Sequence, residues 1–259
     1  MKVLVTGATG VLGTAVVPRL TQDGHQLRGT SRKGGDWVML DLATGEGLAE
    51  AVAGLDAVVH LASATRQYRK AAAVDVAGTR RLVTAAAQAG VRHVVYVSIV
   101  GIDRVPFGYY KHKLAAEQVV RSGPVPWTIL RATQFPQLLD ERLLPMASTL
   151  GVLLGDPEVK MQLVDPRDVA DRIAGMLAAG PSRAIEEYGG PEVLTFAEIV
   201  EPWLRARGKR RPVLRLRLPG ATVRAMRAGA LTTDAVPTGT RTWREYLAER
   251  YEPMRRSQA

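Results

Sequence analysis

The sequence predicts a doubly wound α/β fold, a parallel sheet with helices on both faces. Three observations carry that prediction. Over residues 1–131, short apolar runs alternate with helical stretches in the order βαββαβαβαβ. The run at residues 57–61 lacks polar alternation, as strands buried on both sides do. A glycine-rich turn joins the first strand directly to the first helix.

Each element follows from its composition. Residues 2–5 are a β-prone apolar run ending in the glycine turn, and residues 11–22 are helical with Pro18 on the polar side. Residues 26–30 and 37–40 form the second and third strands. Residues 47–53 form a short helix stopped by Gly54. Residues 57–61 are the fourth strand, and residues 71–89 a long Ala-rich helix closed by Gly90. Residues 94–99 are the fifth strand, 111–122 a helix and 127–130 the sixth strand. Beyond Arg131 the pattern loosens. Residues 135–150 read as helix despite Pro136 and Pro145, with Phe135, Leu138, Leu139 and Met146 at helical spacing as core or pocket wall. Residues 160–164 form a short strand and 167–178 a helix that Asp165 and Asp168 would start. Thr195-Phe196-Ala197-Glu198 and Thr242-Trp243-Arg244-Glu245 are capping boxes, each opening a helix, the first running to about Arg207. Residues 213–218 alternate Arg with apolar residues, as an edge strand or an extended segment. The chain after Tyr251 is expected to fray.

Composition narrows the function. The chain has 259 residues, enough to bury a core without staples. It has no Cys, which excludes disulfides, a thiol nucleophile and Cys-ligated metal. That suits a reducing cytoplasm, the expected location. No run approaches the roughly 18 apolar residues of a membrane span. The net charge is +10, and all the excess lies late: 21 Lys+Arg balance 21 Asp+Glu up to Trp203, against 14 and 4 from Leu204 on. No nucleic-acid-binding motif accompanies this basic stretch, so it reads as solvated surface and nucleic acid is not the expected partner. His25, His60, His93 and His112 have no ligand spacing, so no metal site is expected. Ser98 lacks a Gly-x-Ser-x-Gly elbow, which argues against a serine hydrolase.

The strongest signal is Gly7-Ala8-Thr9-Gly10-Val11-Leu12-Gly13, between a strand and a helix. Gly7 permits the tight turn, Gly10 the approach of a pyrophosphate, and Gly13 close packing of helix on sheet. The anion would lie on the helix N-terminus. The second strand ends in Gly29-Thr30-Ser31-Arg32-Lys33. A carboxylate there would bind the ribose hydroxyl of NAD; Arg32, with Lys33 beside it, would instead bind a 2′-phosphate, so NADP(H) is preferred over NAD(H).

Together these pieces resemble the short-chain dehydrogenase/reductase superfamily, in its atypical, NmrA-like NAD(P)H-binding branch. The resemblance covers residues 1 to about 180 and fades into the basic stretch. It implies a Rossmann-like domain over 1–180 and a small C-terminal substrate lobe over 181–259, partly integrated with it. Asp41-Leu42 follows the third strand, where the family places an Asp beside the adenine. His60-Leu61-Ala62-Ser63 matches a small-residue segment along the cofactor, which brings in Leu61, Ala62 and Ser63. Residues 94–98 resemble the strand ending in the active-site hydroxyl, here Ser98. Tyr109-Tyr110-Lys111-His112-Lys113 supplies a Tyr-x-x-x-Lys pair, and Tyr109 and Lys113, four apart, share a helix face. Asp165-Pro166-Arg167-Asp168-Val169-Ala170 resembles a segment near the substrate cleft.

In the enzymes this chain resembles, the Tyr protonates substrate oxygen as hydride arrives. The Lys lowers the Tyr pKa and binds ribose hydroxyls, and the Ser polarises the carbonyl. The implied function is NADPH-dependent reduction of a small organic carbonyl, quinone or activated alkene. The pocket would be walled by residues around 134–138 and by the lobe. The implied state is a monomer or homodimer. Atypical members also include non-catalytic sensors of the NmrA type, which stay an alternative. So does an epimerase or dehydratase cycling its own NAD, which the missing acid after the second strand disfavours.

Overall fold

β1 (Lys2–Thr6) feeds the glycine turn and then α1 (Gly13–Gln22), whose Pro18 is exposed as its polar position demands. The computed structural model describes residues 1–32, 35–65, 68–148 and 151–256. β2 (Gln26–Ser31), the two-residue β3 (Val38–Met39), α2 (Leu48–Val52) and β4 (Ala57–His60) follow. All of β4 is buried, which is why it shows no polar alternation. The predicted helix over 71–89 is two segments, a π-helical turn over Ala72–Gly78 and then α3 (Thr79–Gln88). β5 (His93–Ile99), α4 (Gly108–Ser122) and β6 (Trp127–Ala132) complete the part the sequence reads well. α4 begins three residues before the predicted start at Lys111, so Tyr109 lies in its first turn.

The later half departs from prediction in detail. The stretch read as one helix is α5 (Pro136–Leu138), a π-helical turn over Leu139–Leu143 and α6 (Leu144–Ala147). β7 (Leu153–Gly155), β8 (Lys160–Gln162) and α7 (Pro166–Ala179) come next. β9 (Ile185–Tyr188) and β10 (Val193–Thr195) were not legible as strands. α8 (Phe196–Ala206) opens on the predicted capping box. β11 (Val213–Arg215), α9 (Ala221–Arg227) and α10 (Trp243–Arg256) close the chain. α10 runs past Tyr251, where fraying was expected, because Tyr251 donates to buried Asp140 at 2.6 Å.

Among the described residues the main sheet has seven strands in the order β3-β2-β1-β4-β5-β6-β9, all paired in parallel. Alternate strand residues serve opposite faces. Val3 and Val5 pack with Leu12, Val16 and Ile173 under α1 and α7. Leu4, Val58 and Val94 pack with Leu82 and Val120 under α3 and α4. A third core joins Leu139, Leu153 and Leu163 to Trp203, Trp243 and Leu247. Two small sheets, β10 with β8 and β11 with β7, also join strands from either side of residue 180. No helix among the described residues is long and apolar enough to cross a membrane.

Candidate active site

The parallel sheet gathers the site at its carboxyl edge. After β1, Gly7 takes a left-handed φ of +70°, and a Cβ there would lie 2.9 Å from the Ala62 backbone nitrogen. A Cβ on Gly13 would clash with the Gly7 and Ala8 carbonyl oxygens. The Gly10 N–H closes the turn on the Gly7 carbonyl at 2.9 Å. Thr9, Gly10 and Val11 face out, while Leu12 packs into the core. At the start of α1 the Thr14 N–H is given to the Gly10 carbonyl at 3.0 Å and the Ala15 and Val16 N–H groups to the Leu12 carbonyl, so the donors a pyrophosphate would meet are those of the turn itself, ahead of them. A bare, outward turn ahead of a helix fits a pyrophosphate. A cleft beside it is lined by Val11, Thr14, Gln137, Arg167, Tyr246 and Arg250, so α1, α7 and α10 all border it.

Two strands away, a buried polar cluster surrounds the start of α4. Tyr109 and Lys113 lie on one buried face, 6% and 3% exposed. Lys113 donates to the Val97 carbonyl at 3.0 Å, and its Nζ sits 4.3 Å above the centre of the Tyr96 ring. Burial brings the Lys113 pKa down to about 8, against the opposing pull of Asp75 and Glu117. The Tyr109 hydroxyl meets the Ser63 hydroxyl, which donates to Asp75. Ser98 is buried two residues beyond Tyr96 on the same strand face. Its Oγ has no hydrogen-bond partner among the described residues. The structure therefore brings Tyr109 and Lys113 together, and it pairs Tyr109 with Ser63 rather than with Ser98.

Just beyond β6, buried Thr133 and Gln134 carry side-chain polar atoms that are likewise unpartnered among the described residues. Buried polar atoms need partners, so Ser98, Thr133 and Gln134 fit a polar cofactor or substrate at this edge.

His60 pins the floor of the site. Thr6 Oγ1 lies 2.7 Å from its Nδ1 and Thr79 Oγ1 2.9 Å from its Nε2. The Thr79 hydroxyl is given to the Asp75 carbonyl, so the Nε2–H must donate to Thr79. Burial and the nearby Lys113 charge hold the His60 pKa down at about 3, so the ring is neutral.

The remaining predicted residues are more dispersed. Arg32 is exposed at the end of β2; Lys33 lies outside the described residues. The Asp41 carboxylate accepts the Ala43 N–H at 2.8 Å in a tight turn, and Leu42 is buried in the second core. The Leu61 and Ala62 N–H groups donate to Thr6 Oγ1, which anchors the strip next to the glycine turn. Asp165 caps α7 as expected, accepting the Arg167 N–H at 2.8 Å. Asp168 lies in the first turn of α7 as expected, and its carboxylate also accepts the N–H groups of Thr240 and Arg241 at 2.9 and 3.0 Å. No metal-binding cluster exists among the described residues.

Asp75 is the functional candidate that sequence reasoning missed. Its signal was a single acid, Val74-Asp75-Val76, inside an otherwise apolar and Ala-rich stretch.

Residues 7–179 match a family model described as NAD(P)H-binding. A curated (4-alkanoyl-5-oxo-2,5-dihydrofuran-3-yl)methyl phosphate reductase of Streptomyces griseus is 30% identical, over 80% of this chain and 74% of that protein. A short-chain dehydrogenase/reductase superfamily protein of Agrobacterium tumefaciens with bound NAD is 26% identical, with a TM-score of 0.75 over 100% of this chain and 98% of that one. An NADPH-dependent quinone oxidoreductase of Escherichia coli complexed with NADPH shares the fold at 19% identity, with a TM-score of 0.78 over 96% and 99%.

Proposed function

This chain belongs to the NAD(P)H-binding family, and from that premise we propose a reductase that prefers NADPH and acts on a small organic carbonyl, quinone or activated alkene. The coarser statement stands on the family and its reductase-named relatives: the protein is an NAD(P)H-dependent oxidoreductase. One observation carries the finer reading. A tyrosine and a lysine are buried together on one face of α4, where the sheet edge would present a nicotinamide.

In this reading Gly7, Thr9, Gly10, Val11, Leu12 and Gly13 hold the pyrophosphate. Exposed Arg32, with Lys33, takes the 2′-phosphate as a charge-assisted partner. Asp41 and Leu42 border the adenine, and Leu61, Ala62 and Ser63 run along the dinucleotide. When bound, the cofactor supplies a hydride to the electrophilic carbon. Tyr109 breaks its O–H bond and gives that proton to the substrate oxygen. The Lys113 ammonium stabilises the resulting phenolate and binds ribose hydroxyls. The unpartnered Ser98 hydroxyl donates to the same substrate oxygen and orients it. The quinone and carbonyl classes are supported by this proton-donating arrangement, and the neutral His60 adds no competing acid.

The test is NADPH oxidation, followed by absorbance, against a panel of quinones, aldehydes and ketones. Tyr109→Phe is expected to lower turnover by about 100-fold or more while leaving NADPH affinity near wild type. A variant that turns over like wild type would remove Tyr109 as the acid.

A further inference from the structure

Asp75 is a buried acid that the reaction above leaves unused. It lies in the π-helical turn over Ala72–Gly78 and is 1% exposed. Such turns interrupt regular helix bonding and recur at functional sites. Its Oδ2 accepts the Ala64 N–H at 3.0 Å, and its Oδ1 accepts the Ser63 hydroxyl. A serine has one hydroxyl hydrogen. With that hydrogen given to Asp75, the Ser63 oxygen meets the Tyr109 hydroxyl as an acceptor, so the phenol is the donor. A carboxylate only accepts, and this fixes the direction of the whole chain, Tyr109 to Ser63 to Asp75.

We propose that Asp75, acting through Ser63, is a positioning residue that holds Tyr109 in its protonated, proton-donating form. The proposal rests on the reading of Tyr109 as the acid.

Among the described residues, the surrounding charges leave this role to Asp75. On α4 itself, Lys113 is the cation that shares the buried face of Tyr109 and favours phenolate. Glu117, also on α4, is tied to Arg131 of β6 by two bonds of 2.9 and 2.8 Å. Arg131 is in turn bound to Asp103 at 2.9 Å. From β5, Tyr96 brings a buried neutral hydroxyl, and from the end of β4, His60 is neutral. From the Ala72–Gly78 turn, only Asp75 brings charge. Among the described residues, two opposed influences therefore meet at Tyr109. The ammonium pulls the proton off, and the carboxylate, through Ser63, keeps it on. A reductase needs the phenol loaded before each hydride transfer, so the carboxylate sets the loaded state.

The experiment is an ultraviolet absorbance titration of phenolate formation in the full-length protein, with and without NADP⁺. The Tyr109 contribution is the difference between each protein and its counterpart carrying Tyr109→Phe. In Asp75→Asn the negative charge is gone, so the Tyr109 step is expected to move to lower pH by about one unit. Ser63→Ala, which cuts the chain while keeping the Asp75 charge, is expected to move it in the same direction and provides the test should Asp75→Asn fail to fold. A step that stays in place or rises in the folded variants would overturn the proposal. This readout needs no turnover. Loss of the reductase reading would appear instead as full activity in Tyr109→Phe, so the two failures are distinguishable.

Discussion

Lys113 shows how one side chain divides stability from function. Burial lowers its pKa to about 8, against an ordinary 10.5. Between those values the unfolded chain binds the proton that the folded chain has shed, so this residue makes stability rise with pH. The ammonium that would bind ribose hydroxyls disappears over the same range. NADPH affinity is therefore expected to fall as pH climbs through about 8, with no parallel loss of melting temperature. In Lys113→Met the affinity should be weak and flat with pH, as fluorescence titration of NADPH would show; an unchanged alkaline fall in that variant would assign it elsewhere. The family resemblance pointed to Tyr109, Lys113 and Ser98, and the structure buries the first two together on α4 while leaving Ser98 unpartnered among the described residues. Asp75 was hidden because a single acid in an Ala-rich run reads as a helical blemish. Its pairing with Ser63 is tertiary, twelve residues away across a loop. The Ser63 contact with Tyr109 was hidden for the same reason, and Ser63 reads from sequence as a cofactor contact alone.

At the level of elements, two π-helical turns each present a buried Asp. The second, over Leu139–Leu143, carries Asp140, which is 0% exposed. It accepts from Trp203 Nε1 of α8 at 2.8 Å and from the Tyr246 and Tyr251 hydroxyls of α10 at 3.1 and 2.6 Å. Arg250 adds an ion pair at 3.3 Å. Asp140→Ala strands these buried donors, so a loss of about 3–5 kcal/mol is expected by chemical denaturation. A loss under about 1 kcal/mol would mean that the apolar contacts of Trp203 and Trp243 hold the two helices without it. Strands β1, β4, β5 and β6 were legible because they are β-branched and buried on both faces. β9 was not, since Glu186 and Glu187 interrupt the apolar run. As an edge strand it carries them on opposite faces, where Glu186 pairs with Arg172 and Glu187 lies 4.0 Å from Arg104. The Ala-rich helix was legible in extent and not in geometry, because nothing in its composition signals the wider turn that turns Asp75 toward Ser63.

For the whole molecule, the late excess of positive charge has a partly internal explanation. Arginines after residue 204 meet buried acids from earlier in the chain: Arg207 and Arg250 meet Asp140, Arg227 meets Asp156, and Arg241 meets Asp168. Four arginines of the basic stretch thus fasten the C-terminal segments to residues 140–168, a role that composition alone does not reveal. The acids it meets are spread over residues 140–168, which is why the charge count by region shows an imbalance where the fold shows pairs. We propose that the division near residue 180 separates a cofactor domain from a substrate lobe, with the cleft beside the glycine turn between them.

The central claim is that this sheet edge binds a phosphorylated dinucleotide for reduction. Calorimetric titration with NADPH, NADP⁺, NADH and NAD⁺, side by side, tests it most directly. The account predicts saturable NADPH binding, tighter than NADH by about 10-fold or more, with the preference shrinking in Arg32→Ala. Failure of all four dinucleotides to bind the folded protein would contradict it.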